Sequence, residues 1–111
     1  MTITVKNIIP RKQAENVQTT QYTAVNCKCI IDKFTATNTS AANVTISVNL
    51  VASAGAVGVA NLVTQLRSIV PGETWTAPEL IGQVLENGGF ISTLASAATS
   101  LTISASGREV T

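Results

Sequence analysis

The side chains that could do chemistry are few. The 111-residue chain contains no His, which removes the base of Ser-His-Asp and Cys-His nucleophilic systems and the commonest metal ligand. Its only thiols, in Cys27-Lys28-Cys29, are too few for a structural zinc site, which takes four ligands. On a strand, residues two apart point to the same face, with Cα atoms about 7 Å apart, the upper limit for a disulfide. They are expected to be buried apolar groups that stay free thiols. Glu15 and Asp32 form no evident carboxylate pair. Gly55 and Gly58 are not followed by Lys-Ser or Lys-Thr, so they make no phosphate loop. No catalytic, cofactor-binding or metal-binding residue is assigned, no cofactor is implied, and the chain is expected not to be an enzyme.

That leaves contact chemistry. Trp75 is the only Trp and follows a Pro-Gly turn. It is either an interface anchor or a lid packed over one end of the fold. The polar segment Pro10-Arg11-Lys12-Gln13-Ala14-Glu15-Asn16 lies between two β-like runs, as an exposed loop or as the root of an arm reaching a neighbour. Arg11 and Lys12 are its contact candidates. Tyr22 and Phe34 are expected in the core.

Charge narrows the partners. Charged residues make up 12% of the chain, against a usual share of about 25%, and the net charge is +1. Such a weakly charged surface favours association. Residues 1–33 carry Lys6, Arg11, Lys12, Lys28 and Lys33 against Glu15 and Asp32, a net +3. The remainder carries Arg67 and Arg108 against Glu73, Glu79, Glu86 and Glu109, a net −2. Complementary halves suit pairing between surfaces. Nucleic acid is not an expected partner, because the cations are sparse and aromatics are 4%. No apolar run approaches the roughly 18 residues of a membrane span. Met1 to Pro10 alternates in polarity and has no signal-peptide stretch, so synthesis in the cytoplasm is expected. On that reading the glycosylation patterns at Asn38-Thr39-Ser40 and Asn43-Val44-Thr45 carry no meaning.

The elements that must position these groups are strands. A single domain over residues 1–111 is expected, with residues 1–16 an extended arm or an edge strand. Val44, Ile46, Val48 and Leu50 alternate with Thr45, Ser47 and Asn49, and Leu101, Ile103 and Ala105 alternate with Thr102, Ser104 and Ser106. A period of two marks a strand with one buried face. Val17 to Val25, Cys27 to Ala36, Leu62 to Val70 and Phe90 to Ala95 read as further strands. Asn38 to Asn43, a type II turn at Val70-Pro71-Gly72-Glu73 and Asn87-Gly88-Gly89 punctuate them. Thr76-Ala77-Pro78-Glu79 matches a capping box ahead of Leu80, Ile81, Val84 and Leu85, which predicts one short helix over about residues 77–86. Several short strands with regular turn signals predict an all-β, jelly-roll-like β-sandwich.

The order Ile30-Ile31-Asp32-Lys33-Phe34-Thr35-Ala36-Thr37-Asn38, Ile69-Val70-Pro71-Gly72-Glu73, Leu80-Ile81-Gly82, Gly89-Phe90-Ile91 and Ile103-Ser104-Ala105-Ser106-Gly107 resembles the capsid decoration, or staple, proteins of short-tailed bacteriophages of the Salmonella phage epsilon15 group. The resemblance spans nearly the whole chain. It implies a virion protein on the capsid exterior that cements the shell, with the major capsid protein as partner and a homodimer as its own state. It brings no catalytic residues with it. A tail or head-completion protein and a carbohydrate-binding host-recognition module are the alternative readings. The second would call for exposed aromatics, in which the chain is poor.

Overall fold

A computed structural model describes all residues, 1–111. It is nearly all strand: β1 (Ile3–Gln13), β2 (Thr19–Thr23), β3 (Lys28–Asn38), β4 (Val44–Val51), β5 (Leu62–Ile69), β6 (Thr74–Thr76), β7 (Val84–Leu85), β8 (Phe90–Ala95) and β9 (Leu101–Val110). A single 3-10 turn, Val59–Asn61, precedes β5. No helix is long and apolar enough to cross a membrane.

The pairings are nested. β1 pairs with β9, β2 with β8, β3 with both β6 and β7, and β4 with β5, all antiparallel. Alternate pairs belong to alternate sheets, so sheet A runs β1-β9-β3-β6, with β7 also on β3, and sheet B runs β2-β8-β4-β5. The chain is thus one long hairpin rolled into two facing sheets, the jelly-roll arrangement. Most turns therefore carry the chain between sheets, as at 39–43, 70–73 and 86–89, and only 52–61 joins neighbours within one sheet.

Alternation builds the core. Ile9, Ile31, Phe34 and Ile103 of sheet A meet Ile46, Val48, Ile69 and Ile91 of sheet B, all fully buried. Their outward neighbours are polar, such as Thr35 and Thr37 on β3 and Thr102, Ser104 and Ser106 on β9. The expected turn at Val70 to Glu73 forms with Gly72 at φ +80 and a Glu73 N–H donating to the Val70 carbonyl at 3.0 Å, as a type II turn requires.

The helix predicted over 77–86 does not form. β3 takes the backbone on both sides of the segment instead: Ala77 N–H donates to Phe34 O at 3.0 Å, Gly82 N–H to Ile31 O at 2.8 Å, and Ile31 N–H to Gln83 O at 2.9 Å. Residues 74–85 are one edge strand interrupted by a turn at 78–82, whose Leu80 is driven fully into the core. Gly82 sits at φ +84, outside the helical region, and is the residue type that takes such a φ without strain. The capping box also fails, because the Glu79 carboxylate accepts from Thr64 Oγ1 at 3.0 Å. The apolar spacing Leu80, Ile81, Val84, Leu85 fits one helical stripe, but here Leu80 and Leu85 are buried while Ile81 and Val84 are exposed.

Candidate docking face

The outward face of sheet A collects the hydroxyls of three strands. Cross-strand pairing sets Lys33 beside Ser106, Thr35 beside Ser104 and Thr37 beside Thr102, with Thr76 beside Thr35 and Thr74 beside Thr37. Thr37 and Thr74 share a hydroxyl hydrogen bond of 2.9 Å. Gln13 Nε2, on β1, donates to Thr102 Oγ1 at 2.7 Å. A shallow depression of about 340 Å³ crosses this face, lined by Asn7, Arg11, Lys33, Thr35, Thr102 and Ser104 among others.

The charges sort themselves by position. Lys6 pairs with Glu109, Lys12 with Glu15, Lys28 with Glu86, Arg67 with Glu73 and Arg108 with Asp32. The cations left without an acidic partner are Arg11 and Lys33, and both line the depression. Every Asp and Glu side chain is engaged, Glu79 by Thr64. The excess positive charge of the chain is thus gathered on one hydroxyl-rich face. Hydroxyls can donate or accept, and a cation beside them favours a polar, acidic partner surface.

The residues singled out from sequence divide here. Arg11 is exposed on this face. Lys12, one residue on, is directed the other way on the pleat and is held by Glu15 at 2.8 Å. Both lie within β1, so Pro10 to Gln13 is paired strand and not a loop. Trp75 is no surface anchor. It is 5% exposed, meets Phe34 edge-on with ring centroids 6.4 Å apart, and is covered by the Arg67 guanidinium 5.5 Å from its centroid. Lys33 escaped notice because in sequence it is one cation among several; only the pairing map reveals that it alone on β3 lacks a partner.

At the far end of the sandwich a second polar group bridges the sheets. Tyr22 of β2 donates its hydroxyl to Glu109 Oε2 of β9 at 2.5 Å, and Lys6 Nζ lies 3.5 Å from the same oxygen. The Tyr22 hydroxyl beside Glu109 holds its carboxyl below the ordinary 4.5, with Lys6 adding to the effect. Burial, and then Glu109 itself, push the Tyr22 phenol up. Cys27 and Cys29 are buried here as free thiols, and burial pushes the Cys29 thiol up, so it stays protonated at neutral pH.

This cluster makes stability depend on pH with a defined sign. A carboxyl depressed on folding contributes stability above its unfolded pKa and loses it as pH falls through the lower folded value. Glu15, lowered by Lys12 and then Gln21, acts in the same direction. Urea melts should therefore show stability declining as pH drops below about 4.5. Tyr22→Phe should flatten that acid limb, and an unchanged pH slope in the variant would show that the Tyr22–Glu109 bond does not depress the carboxyl.

No protein-family model matches the chain, and a search of curated proteins finds no match. Among solved structures, the fold is similar to a chain in the structure of infectious bursal disease virus, Gx strain, with a TM-score of 0.61 over 98% of this chain and 12% sequence identity. The match spans 33% of that longer chain. What the likeness establishes is the fold: an antiparallel two-sheet sandwich of a kind that a virus protein also uses.

Proposed function

We propose that the chain is a non-enzymatic virion structural protein of a tailed bacteriophage that binds the outer face of the assembled capsid and staples neighbouring major coat subunits, with the outward face of sheet A as its contact surface. The observation that carries the reading is the coincidence of the two unpaired cations, Arg11 and Lys33, on one hydroxyl-rich sheet face. The jelly-roll fold, shared with a chain of a virus structure, and the resemblance to phage decoration proteins support the virion setting. A sugar-binding role is less well served, because Tyr22, Phe34 and Trp75 are buried and the fourth aromatic, Phe90, is half-buried on sheet B, so none can stack on a ligand from this face.

The mechanism follows from linkage. A protein that binds the assembled lattice and not free subunits stabilises the lattice by mass action. A face that touches two coat subunits gains effective concentration for its second contact. Repeated over a shell, modest contacts then offset the outward pressure of packaged DNA.

The test uses purified protein with expanded capsids lacking it. Co-sedimentation should show binding to assembled capsids and none to free coat subunits. Bare, DNA-filled capsids should break at lower temperature or milder osmotic shock, and added protein should restore them. Recovery of the protein on purified tails alone, with shells of unchanged strength without it, would sink the proposal.

A further inference from the structure

The first half of β1 is an open sheet edge. Thr2 and Thr111 exchange both amide hydrogen bonds, at 3.1 and 2.9 Å, and the register continues without a break through Ile3–Val110, Thr4–Glu109, Val5–Arg108 and Lys6–Gly107. In an antiparallel ladder the hydrogen-bonded pairs alternate. Thr2, Thr4 and Lys6 therefore bond to β9, and Ile3 and Val5 turn their N–H and C=O groups to the open side. The two residues are 53% and 79% exposed. Val5, Arg108, Ile30 and Val84 form one cross-strand row on the outer face of sheet A, and Val84 is exposed as well. Arg108 within that row is neutralised by Asp32 at 3.0 Å.

The other edges are blunted. The later part of β1 carries Pro10 and two register shifts. The β6–β7 edge is interrupted at 78–82. β5 is irregular at two places and holds Leu66 at φ +49, and β2 is five residues long with a shift of its own. Such features are the usual protection against edge pairing. Thr2 to Val5 has no proline, no charge and no bulge.

We propose that two copies of the chain pair edge to edge through residues Thr2 to Lys6 of β1, about a two-fold axis at Thr4, to make one continuous sheet A. A two-fold contact must be self-complementary, and this segment is. With Thr4 on the axis, Ile3 of one copy lies opposite Val5 of the other, and each such pair exchanges both N–H···O bonds. The apolar side chains then meet on the outer face, extending the row of Ile30 and Val84. Lys6 falls opposite Thr2 of the second copy, and its charge is already met by Glu109 at 3.5 Å. No like charges oppose one another, whereas Lys12 stands on the later part of the strand that this pairing leaves out. The docking surface around Arg11 and Lys33 lies away from the axis, so a monomer that still bound capsids would remove this proposal and leave the functional reading standing.

The experiment is sedimentation of the full chain at micromolar concentration together with site-directed cross-linking. The wild type should sediment at twice the 11.5 kDa chain mass. Val5→Lys alters an exposed side chain whose amide is not used in the β1–β9 ladder, so it should melt like the wild type yet sediment at 11.5 kDa. Thr4→Cys places two thiols in a non-hydrogen-bonded pair with Cα atoms about 4.5 Å apart, within disulfide reach, and should oxidise to a covalent dimer. Ile3→Cys and Val5→Cys should not, since each residue is offset from its own copy along the strand. A wild type that stays monomeric at every concentration would overturn the proposal. So would a dimer untouched by Val5→Lys, or cross-linking at Ile3→Cys or Val5→Cys in place of Thr4→Cys.

Discussion

Reversing the two free cations together, Arg11→Glu with Lys33→Glu, should weaken capsid binding by on the order of 100-fold at low salt. Unit charges 4 Å apart interact by about 1 kcal/mol in water. Reversal converts an attraction into a repulsion, so two sites facing acidic groups change the binding energy by about 3 kcal/mol after some screening. The loss should shrink as ionic strength rises, because the wild type loses its own attraction within a Debye length of about 8–10 Å. Lys12→Glu is the internal comparison. Lys12 is tied to Glu15 at 2.8 Å and is directed away from the face, so its reversal should cost far less. Neither change touches the core, since Arg11 and Lys33 are both exposed, and matched melting curves would confirm intact folding. Undiminished binding by the double variant, measured by titration at several salt concentrations, would move the contact off sheet A.

The largest effect on stability is expected at Asn38. Its side chain is 1% exposed and fully used. Nδ2 donates to the carbonyls of Ile69 at 2.7 Å and Ala42 at 2.8 Å, and Oδ1 accepts from Ser40 N at 2.9 Å and Ser40 Oγ at 2.7 Å. Its backbone holds the other turn as well, donating to Glu73 O at 3.0 Å and accepting from Gly72 N–H at 2.9 Å. One residue thus joins the end of β3 in sheet A, the crossing to β4, the end of β5 in sheet B and the crossing to β6. A buried polar group left without its partner costs about 1–3 kcal/mol, and Asn38→Leu orphans several while keeping the same branching of the side chain at Cγ. We expect a loss of about 3 kcal/mol from a total of roughly 5–15 kcal/mol, and a fall in Tm of about 10–20 °C. Urea unfolding should show a lower midpoint at an unchanged slope. Asn43→Leu, at an exposed position in the same crossing, should shift stability by no more than about 0.5 kcal/mol. A comparably small effect at Asn38 would mean the crossings are held by packing alone.

Asn38 also illustrates where sequence reading reaches its limit. In sequence it is a turn residue between two strands, and it is that. Its role as a fastening between sheets depends on Ile69, 31 residues away. The same separation hid the docking face. Lys6 finds Glu109 at 103 residues' distance and Arg108 finds Asp32 at 76. The +3 and −2 halves read from sequence therefore cancel largely in place, and the residual charge is local to Arg11 and Lys33.

The sequence by itself determined most of the strands and, on β4 and β9, which apolar residues face the core. A pleated strand alternates its side chains between faces, so the hydrophobic pattern of β4 and β9 is a local record of a buried face, and Pro71-Gly72 and Asn87-Gly88 mark where no strand can continue. Only the tertiary structure decided which strands are neighbours, because the nested pairing of β1 with β9 and β2 with β8 rests on contacts between distant segments that no short window contains. It also decided the fate of residues 77–86, where local spacing favoured a helix. The unpaired edge of β3 offered the backbone hydrogen bonds at Phe34 and Ile31, and burial of Leu80 outweighed the local preference. The charge that remains for a partner was settled in the same way, by which side chains the rolled hairpin brings together.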